Sequence, residues 1–324
     1  MLFKKSLLAV VLGIVAAGSS PLAEATPVPT ADNYPVRPLT LIVPYPPGGP
    51  NDTIARTVAP ELAAALGVSV VIENKPGAAG NIGASALARA EPDGYTLALP
   101  GAAIAINTVI NESTPYRLSD VQAVGMVAQG PIVAVAHPSL GVNTLDELLD
   151  VARRQPGAIA FPSGGRGTSP HLAGELLKIR ADVDLLHVPY KGTGEFIPDL
   201  LAGRVSLAFV SPLIVRQHVE SGALIPLATT GRGRLRGWES LPTVGEAGVK
   251  DYEVAPWYAV VVPAKTPQVV VQKLNTALQK ALQSEAVQSK LVSLGLDAIP
   301  GSADQAQRIL DQEAATWAAV PLSE

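Results

Sequence analysis

The chain has 324 residues, of which 48% are hydrophobic, 16% are charged and none is cysteine. The lack of cysteine excludes disulfides, thiolate metal sites and cysteine nucleophiles, and the length is sufficient for two domains. The formal net charge is −4 and the sequence has no basic block, which argues against a nucleic-acid partner and against a polybasic membrane contact.

The first 25 residues have the pattern of a targeting segment. Lys4 and Lys5 precede an apolar run at 7–17, and small residues follow up to Ala25. This order is typical of a secretory signal peptide, and the run is too short to cross a bilayer core of about 30 Å. We therefore predict a signal peptide at 1–25 that is cleaved after Ala25, and an exported protein located in the bacterial periplasm.

From residue 36 onwards, strand-like runs alternate with helical patterns. Such alternation is typical of strand–helix–strand units around a parallel sheet. The predicted strands are 39–43, 68–72, 95–99, 132–136, 159–161, 185–188, 205–210, 224–228 and 258–262, and helices are predicted near 267–283, 285–294 and 303–317.

The middle of the chain, about 135–226, is itself a complete alternating unit. Apolar segments at 132–136 and 225–229 flank it, and we interpret them as crossover strands between two lobes. The sequence thus predicts a bilobed α/β protein. Domain 1 is discontinuous and takes residues 26–131 and 227–324, domain 2 takes residues 132–226, and a cleft between them suits a small ligand.

The loop after the first strand, residues 44–52, is a candidate ligand loop. It contributes Pro47, Gly48, Gly49 and Asp52. Glycine lets backbone amides approach a ligand, and free amides at a helix N-terminus attract anions. One such loop alone is better explained as a tight turn capped by an aspartate.

Two further loops of the same type follow strands in the middle of the chain. Residues 161–171 carry three glycines and three hydroxyls but lack the Gly-Lys-Thr or Gly-Lys-Ser ending of a Walker loop. Residues 188–194 add a cation. Three such loops favour a carboxylate site between the lobes, and the last two contribute Ser163, Gly164, Gly165, Arg166, Thr168, Ser169, His171, Tyr190, Lys191 and Gly192.

The stretch 77–83 (GAAGNIG) imitates a dinucleotide-binding fingerprint. The following strand at 95–99 ends without an acidic residue to hold a ribose hydroxyl, so no nucleotide cofactor is expected. We assign this stretch to the cleft wall through Asn81, and the end of the next strand adds Gly101 and Ala102. The alternative is ordinary close packing of a helix on glycine.

The sequence shows no metal site and no catalytic residue. The histidines at 137, 171, 187 and 218 lack metal-ligand spacing, and no serine lies in a Gly-x-Ser-x-Gly elbow. Only His171 falls in a candidate ligand loop, and a water-exposed position near a helix N-terminus explains it equally well.

Several linked motifs together are specific for a family. They include ENKPGA at 73–78, PDGYT at 92–96, HLAGEL at 171–176 and VPYKG at 188–192. With residues 34–35, 42–44, 48–49, Asp52, Arg56, Gly83, 167–168, 242–244, 246–248 and Trp257, they resemble the Bug-type solute receptors of tripartite tricarboxylate transporters. The resemblance implies a bilobed periplasmic binding protein of the type II-like fold. It also implies a small carboxylate ligand, integral-membrane transporter subunits as partners and no catalysis, and we expect a monomer.

The chain departs from the family pattern at Arg166 and at the pair Glu195 and Phe196. We expect these residues to tune ligand selectivity: Arg166 either reaches a second carboxylate of the ligand or points to solvent, and Phe196 packs on an apolar or aromatic ligand body. Two alternatives remain at this stage. One is an exported hydrolase or isomerase that uses His171 with Ser163 or Ser169, and the other is a ligand sensor for a signalling partner.

Overall fold

The computed structural model describes residues 34–321, so the predicted signal peptide lies outside the described residues. The described strands are β1 (Leu39–Val43), β2 (Val70–Asn74), β3 (Thr96–Ala98), β4 (Val121–Gln129), β5 (Val133–Ala136), β6 (Ala160–Ser163), β7 (Leu186–Pro189), β8 (Leu207–Val210), β9 (Ile225–Thr229), β10 (Trp257–Pro263) and β11 (Asp297–Ala298). The described α-helices are α1 (Pro50–Leu66), α2 (Asn81–Ala88), α3 (Ala103–Ile110), α4 (Leu145–Arg154), α5 (Ser169–Ala181), α6 (Thr193–Leu201), α7 (Pro212–Glu220), α8 (Gln268–Leu282), α9 (Glu285–Ser293) and α10 (Ala303–Ala318).

Lobe 1 is built on a six-stranded sheet of order β11-β4-β10-β3-β1-β2. Strands β1, β2 and β3 are parallel, whereas β10 runs antiparallel to both β3 and β4. The buried faces of this sheet pack against α1, α8 and α10 in an aliphatic core rich in Val and Leu.

Lobe 2 holds a three-stranded sheet of order β8-β5-β9 and a parallel pair of strands, β6 and β7. Strand β5 is antiparallel to both of its neighbours. The β6–β7 pair lies beside β8: the amide of Ser206, directly before β8, donates to the carbonyl of Ala160 at the start of β6 at 3.1 Å.

The prediction of parallel sheets is therefore confirmed for β1–β3 and β6–β7 but wrong for β5 and β10. Strands β1, β3, β6, β7 and β8 all end at the boundary between the lobes. Strands β5 and β10 each begin where the chain has just crossed that boundary, so they run away from it, opposite to their neighbours.

Two connections carry the chain between the sheets, at 130–132 and at 230–256. Thr230 ties them together: its hydroxyl accepts from the amide of Ile132 at 3.0 Å and donates to the carbonyl of Val254 at 2.6 Å. Gly130 donates to the carbonyl of Pro256 at 3.1 Å. The domain limits at 131/132 and 226/227 stay a prediction.

The sequence analysis missed β4, a nine-residue strand in the middle of the lobe 1 sheet. Both of its faces are buried, so it shows no alternation of apolar and polar residues. On one side it packs against α8, where the side-chain amide of Asn275 donates to the carbonyl of Val124 at 2.8 Å. The three C-terminal helices α8, α9 and α10 confirm their predictions within one or two residues.

No helix within residues 34–321 combines the length and the apolar character needed to cross a membrane.

Candidate functional site

A cavity of about 300 Å³ lies between the two lobes. Both lobes contribute to its lining, which is mostly apolar or made of backbone at helix starts. The lining residues are Tyr45, Pro46, Pro47, Gly49, Pro50, Asn51, Gly101, Ala102, Ala103, Ile132, Gly164, Thr168, Ser169, Pro170, Gly192, Thr193, Gly194, Glu195, Phe209, Val210, Ser211, Pro256, Trp257 and Tyr258.

Five helices begin at this cavity. Helices α1 and α3 come from lobe 1 and α5, α6 and α7 from lobe 2, and each follows the carboxyl end of a strand. The first amides of an α-helix have no acceptor within the helix, and the helix dipole makes that end positive. None of the five is capped by a side chain, so their first amides are not occupied by a capping oxygen. The cavity therefore combines backbone donors with a positive potential.

Asp52 shapes the first ligand loop from behind. Its carboxylate accepts from the amide of Gly48 at 2.9 Å, from Arg56 Nε at 2.9 Å and from Asn74 Nδ2 at 3.0 Å. Burial opposes ionisation, but these hydrogen bonds and the Arg56 charge outweigh it and hold the pKa of Asp52 below its ordinary value. Asp52 is buried and does not line the cavity, so its role is to fix the loop conformation through the hydrogen bond from Gly48.

Ser163 plays a similar part in the second loop. Its hydroxyl lies 2.6 Å from His187 Nε2 and accepts from the amide of Gly165 at 3.0 Å. Ser163 has no exposed surface. The side chain is thus turned into lobe 2 and away from the cavity.

His171 is buried below the same loop. Its Nδ1 accepts from the amide of Gly167 at 3.2 Å, and its ring centroid lies 4.5 Å from that of His187. Burial lowers the pKa of His171 to about 3, with smaller contributions from His187, Arg166 and Lys178. The expectation of a water-exposed side chain is wrong, because the ring is only 3% exposed. The neutral imidazole holds the loop.

The lobes touch each other beside the cavity through glycines of lobe 2. A Cβ built on Gly167 would lie 1.9 Å from Asn107 Oδ1, and one on Gly165 would lie 3.1 Å from the Cβ of Ala79. Asn107 in turn is held by lobe 1, because its Nδ2 donates to Asn81 Oδ1 at 2.8 Å. Asn81 thus supports the lobe contact from behind and does not reach the cavity.

The residues predicted from the sequence fall into two groups. Those that line the cavity share positions at helix starts: Pro47, Gly49, Gly101, Ala102, Gly164, Thr168, Ser169 and Gly192. Those outside the lining support or flank the loops: Gly48, Asp52, Asn81, Ser163, Gly165, Arg166, His171, Tyr190 and Lys191. Whether either group contacts a ligand stays a prediction.

The three residues at which the chain departs from the family pattern, Arg166, Glu195 and Phe196, adopt different positions. Phe196 is fully buried in the core of lobe 2, against Tyr190 at 5.9 Å between ring centroids, so the expectation that it packs on a ligand is wrong. Position 196 lies on the inner face of α6, where an apolar ring gains more by entering the core than by facing a cleft. Glu195, one residue earlier, lines the cavity. Arg166 is exposed outside the lining.

Sequence reasoning missed the back wall of the cavity. Trp257 and Tyr258 begin β10, Phe209 and Val210 end β8, and Ser211 directly precedes α7. Trp257 contributed only to the family resemblance, and Tyr258, Phe209 and Val210 lie in segments that the sequence marks only as apolar strands. These residues line the cavity because their strands meet at the lobe boundary, and that arrangement is given by the sheet topology and not by the local sequence.

Comparison with known proteins gives a consistent result. The chain matches the model of the family described as "Tripartite tricarboxylate transporter family receptor" over residues 54–321. It is 37% identical over 299 residues to the protein BugT of Bordetella pertussis, which covers 91% of both chains.

Solved structures of similar proteins share the fold. The periplasmic binding protein BugD is 33% identical with a TM-score of 0.82, over 88% of this chain and 96% of that one. An R. palustris protein solved with adipate is 35% identical with a TM-score of 0.83, over 88% and 96%. MatC from Rhodopseudomonas palustris, solved with malate, is 26% identical with a TM-score of 0.83, over 88% and 99%. With its bilobed α/β fold and its match to the family model over most of its length, the chain belongs to the receptor family of tripartite tricarboxylate transporters.

Proposed function

We propose that this protein is a non-catalytic periplasmic receptor that captures a small carboxylate between its lobes and delivers it to the membrane subunits of a tripartite transporter. One observation carries the proposal: five helix N-termini converge on a cavity whose lining, within residues 34–321, has no Lys, Arg or His. A carboxylate there is stabilised by neutral donors.

Helix N-termini and amide hydrogen bonds can stabilise a bound carboxylate without a positively charged side chain. Each helix N-terminus stabilises a nearby anion by about 0.3–1 kcal/mol at a surface, and by up to about 2 kcal/mol when the anion is partly buried. Hydrogen bonds to a charged acceptor are also stronger than neutral ones, at about 1.5–3 kcal/mol each. Two or three converging amides thus offset the desolvation of one carboxylate.

The solved relatives support the ligand class and the compartment. Adipate is bound to one of them and malate to another, and both are small carboxylates. BugD is described as a periplasmic binding protein, in keeping with the signal peptide predicted at 1–25.

The geometry argues against the alternative of a hydrolase. His171 Nδ1 accepts a hydrogen bond from the amide of Gly167, and the hydroxyl of Ser163 is hydrogen-bonded to His187 Nε2 beneath the surface of lobe 2. Ser169 lines the cavity, but within residues 34–321 no hydrogen bond joins it to a histidine. A nucleophile needs both a base and access to substrate. Neither pairing of His171 with Ser163 or Ser169 supplies them.

The test removes one backbone donor from the cavity. Proline fits the first position of a helix, so Ser169→Pro deletes the first amide of α5 while leaving the helix intact. Thr168 before it is extended, as the residue before a proline must be. Ser169→Ala separates the effect of the hydroxyl, and Ala303→Pro, at the first position of α10 away from the cavity, is the matched control.

The ligand is found first by native mass spectrometry of gently purified protein, then confirmed by calorimetry with a panel of mono- and dicarboxylates. We expect Ser169→Pro to weaken binding about tenfold or more, the equivalent of one charged hydrogen bond, with Ser169→Ala weakening it less and Ala303→Pro close to wild type. If no carboxylate binds, or if turnover of carboxylate esters is detected, the proposal is wrong.

A further inference from the structure

Glu195 is the only charged side chain among the described residues that line the cavity. The rest of the lining is backbone, hydroxyl, amide, proline or apolar ring and aliphatic surface. Glu195 is exposed to solvent, so its charge acts on a ligand at reduced strength, but no other charge of the described lining opposes it.

The position of Glu195 is defined by α6. It is the third residue of that helix, and its Oε2 accepts from the amide of Lys191 at 3.1 Å, which holds the side chain back over the start of its own helix. That bond occupies one carboxylate oxygen, and an ionised carboxylate has about four acceptor sites. Acceptor capacity therefore remains for a group on the ligand.

The wall behind the site has no polar group of comparable strength. Ile132, Phe209 and Trp257 form an apolar surface suited to the carbon skeleton of a ligand. A ligand whose first carboxylate engages the N-terminus of another helix, such as α5, would thus extend along this wall, with Glu195 as the one charged side chain of the described lining that it encounters.

We infer that Glu195 is a specificity-determining residue: it disfavours ligands with a second carboxylate and favours those whose far end is an ammonium or another hydrogen-bond donor. The inference rests on the proposed function and names the ligand class within it. Like charges placed together at a binding site raise the free energy of the complex, while an opposite charge lowers it.

The experiment uses acids of equal length that differ only at the far end. The six-carbon set is hexanoate, adipate and 6-aminohexanoate, and the four-carbon set is butanoate, succinate and 4-aminobutanoate. Affinities are measured by calorimetry on the wild-type protein and on Glu195→Gln. Glutamine keeps an oxygen that accepts from the Lys191 amide, so this variant removes the charge and leaves the helix start intact. Asp150→Asn, on the exposed face of α4 in the same lobe, removes one charge away from the cavity and is the matched control.

We expect the wild-type protein to prefer the amino acid over the diacid of the same length. In Glu195→Gln the ratio of the two affinities should fall by about three- to tenfold, as for a partly solvated charge pair, and Asp150→Asn should keep the wild-type ratio. An unchanged ratio in Glu195→Gln, or a wild-type preference for the diacid, overturns the inference about Glu195 while leaving the carboxylate receptor standing. Failure of all six acids to bind wild type overturns the inference about the ligand class, and failure of every carboxylate of the calorimetry panel refutes the proposed function itself.

Discussion

Gly167→Ala tests whether ligand binding requires the contact between the lobes. A Cβ at this position would lie 1.9 Å from Asn107 Oδ1 and 3.0 Å from Asn107 Cγ. Asn107 cannot swing away freely, because its amide donates to Asn81 Oδ1 at 2.8 Å and to the carbonyl of Ala79 at 3.4 Å. The substitution therefore either breaks these bonds or holds the lobes apart.

The structure sets the size of the effect. An ordinary contact between carbon and oxygen is about 3.4 Å, so the lobes would have to separate by roughly 1.5 Å at this point. Overpacking of this kind costs about 1–3 kcal/mol, and a cost borne only by the closed form weakens binding by about 5- to 150-fold. The backbone conformation, with φ at +83°, adds a cost for any residue with a Cβ, and this cost is separate from the contact between the lobes.

Gly141→Ala is the matched control for that backbone cost. Gly141 also has a positive φ, +67°, and lies in lobe 2, yet a Cβ there would meet no atom within 4 Å. Both variants should lose similar stability in urea, while only Gly167→Ala should lose affinity. Calorimetry with the acid that binds most tightly measures affinity, and small-angle X-ray scattering measures compaction on ligand addition. If Gly167→Ala binds within twofold of Gly141→Ala and compacts in the same way, the lobe contact at Gly167 plays no part in binding.

Three further outcomes follow from buried polar groups. His171 has a folded pKa of about 3, below its unfolded value, so its contribution to stability is complete above about pH 6.5 and is lost as the pH falls. Between pH 7 and pH 5 we expect the free energy of unfolding of wild type, measured by urea titration, to fall by about 2 kcal/mol more than that of His171→Asn. Asparagine keeps an acceptor for the Gly167 amide, and an equal fall in both proteins would refute the prediction. Thr230→Val leaves the buried Ile132 amide without its acceptor and should lower the free energy of unfolding by about 1–3 kcal/mol in the same assay. A loss below about 0.5 kcal/mol would contradict a stabilising role for the hydrogen bonds that join the two connections between the sheets. Asp52→Ala releases the first ligand loop and should weaken carboxylate binding more than it lowers the melting temperature, and unchanged affinity would show that the hydrogen bond from Gly48 is dispensable.

Local chemistry was enough to place most of the elements. Strands β1, β5 and β9 and the three C-terminal helices were predicted within about two residues, because apolar periodicity and the flanking glycine and proline are properties of the sequence itself. The loops after β1, β6 and β7 were recognised for the same reason. In the loops after β1 and β6, the glycines at 48, 165 and 167 adopt positive φ, which favours glycine over any residue with a Cβ.

The sequence by itself thus determined the class of fold, the order of most elements and the loops that begin helices at the lobe boundary. Only the tertiary structure decided which side chains of those loops face the cavity. Ser163 and His171 turn inward to satisfy buried loop amides, Phe196 enters the core, and Trp257 arrives from a distant strand to form the wall. A periodic pattern states that a face is apolar or that a loop is polar. Whether that face meets the core or the cavity depends on how strands far apart in the chain are brought together.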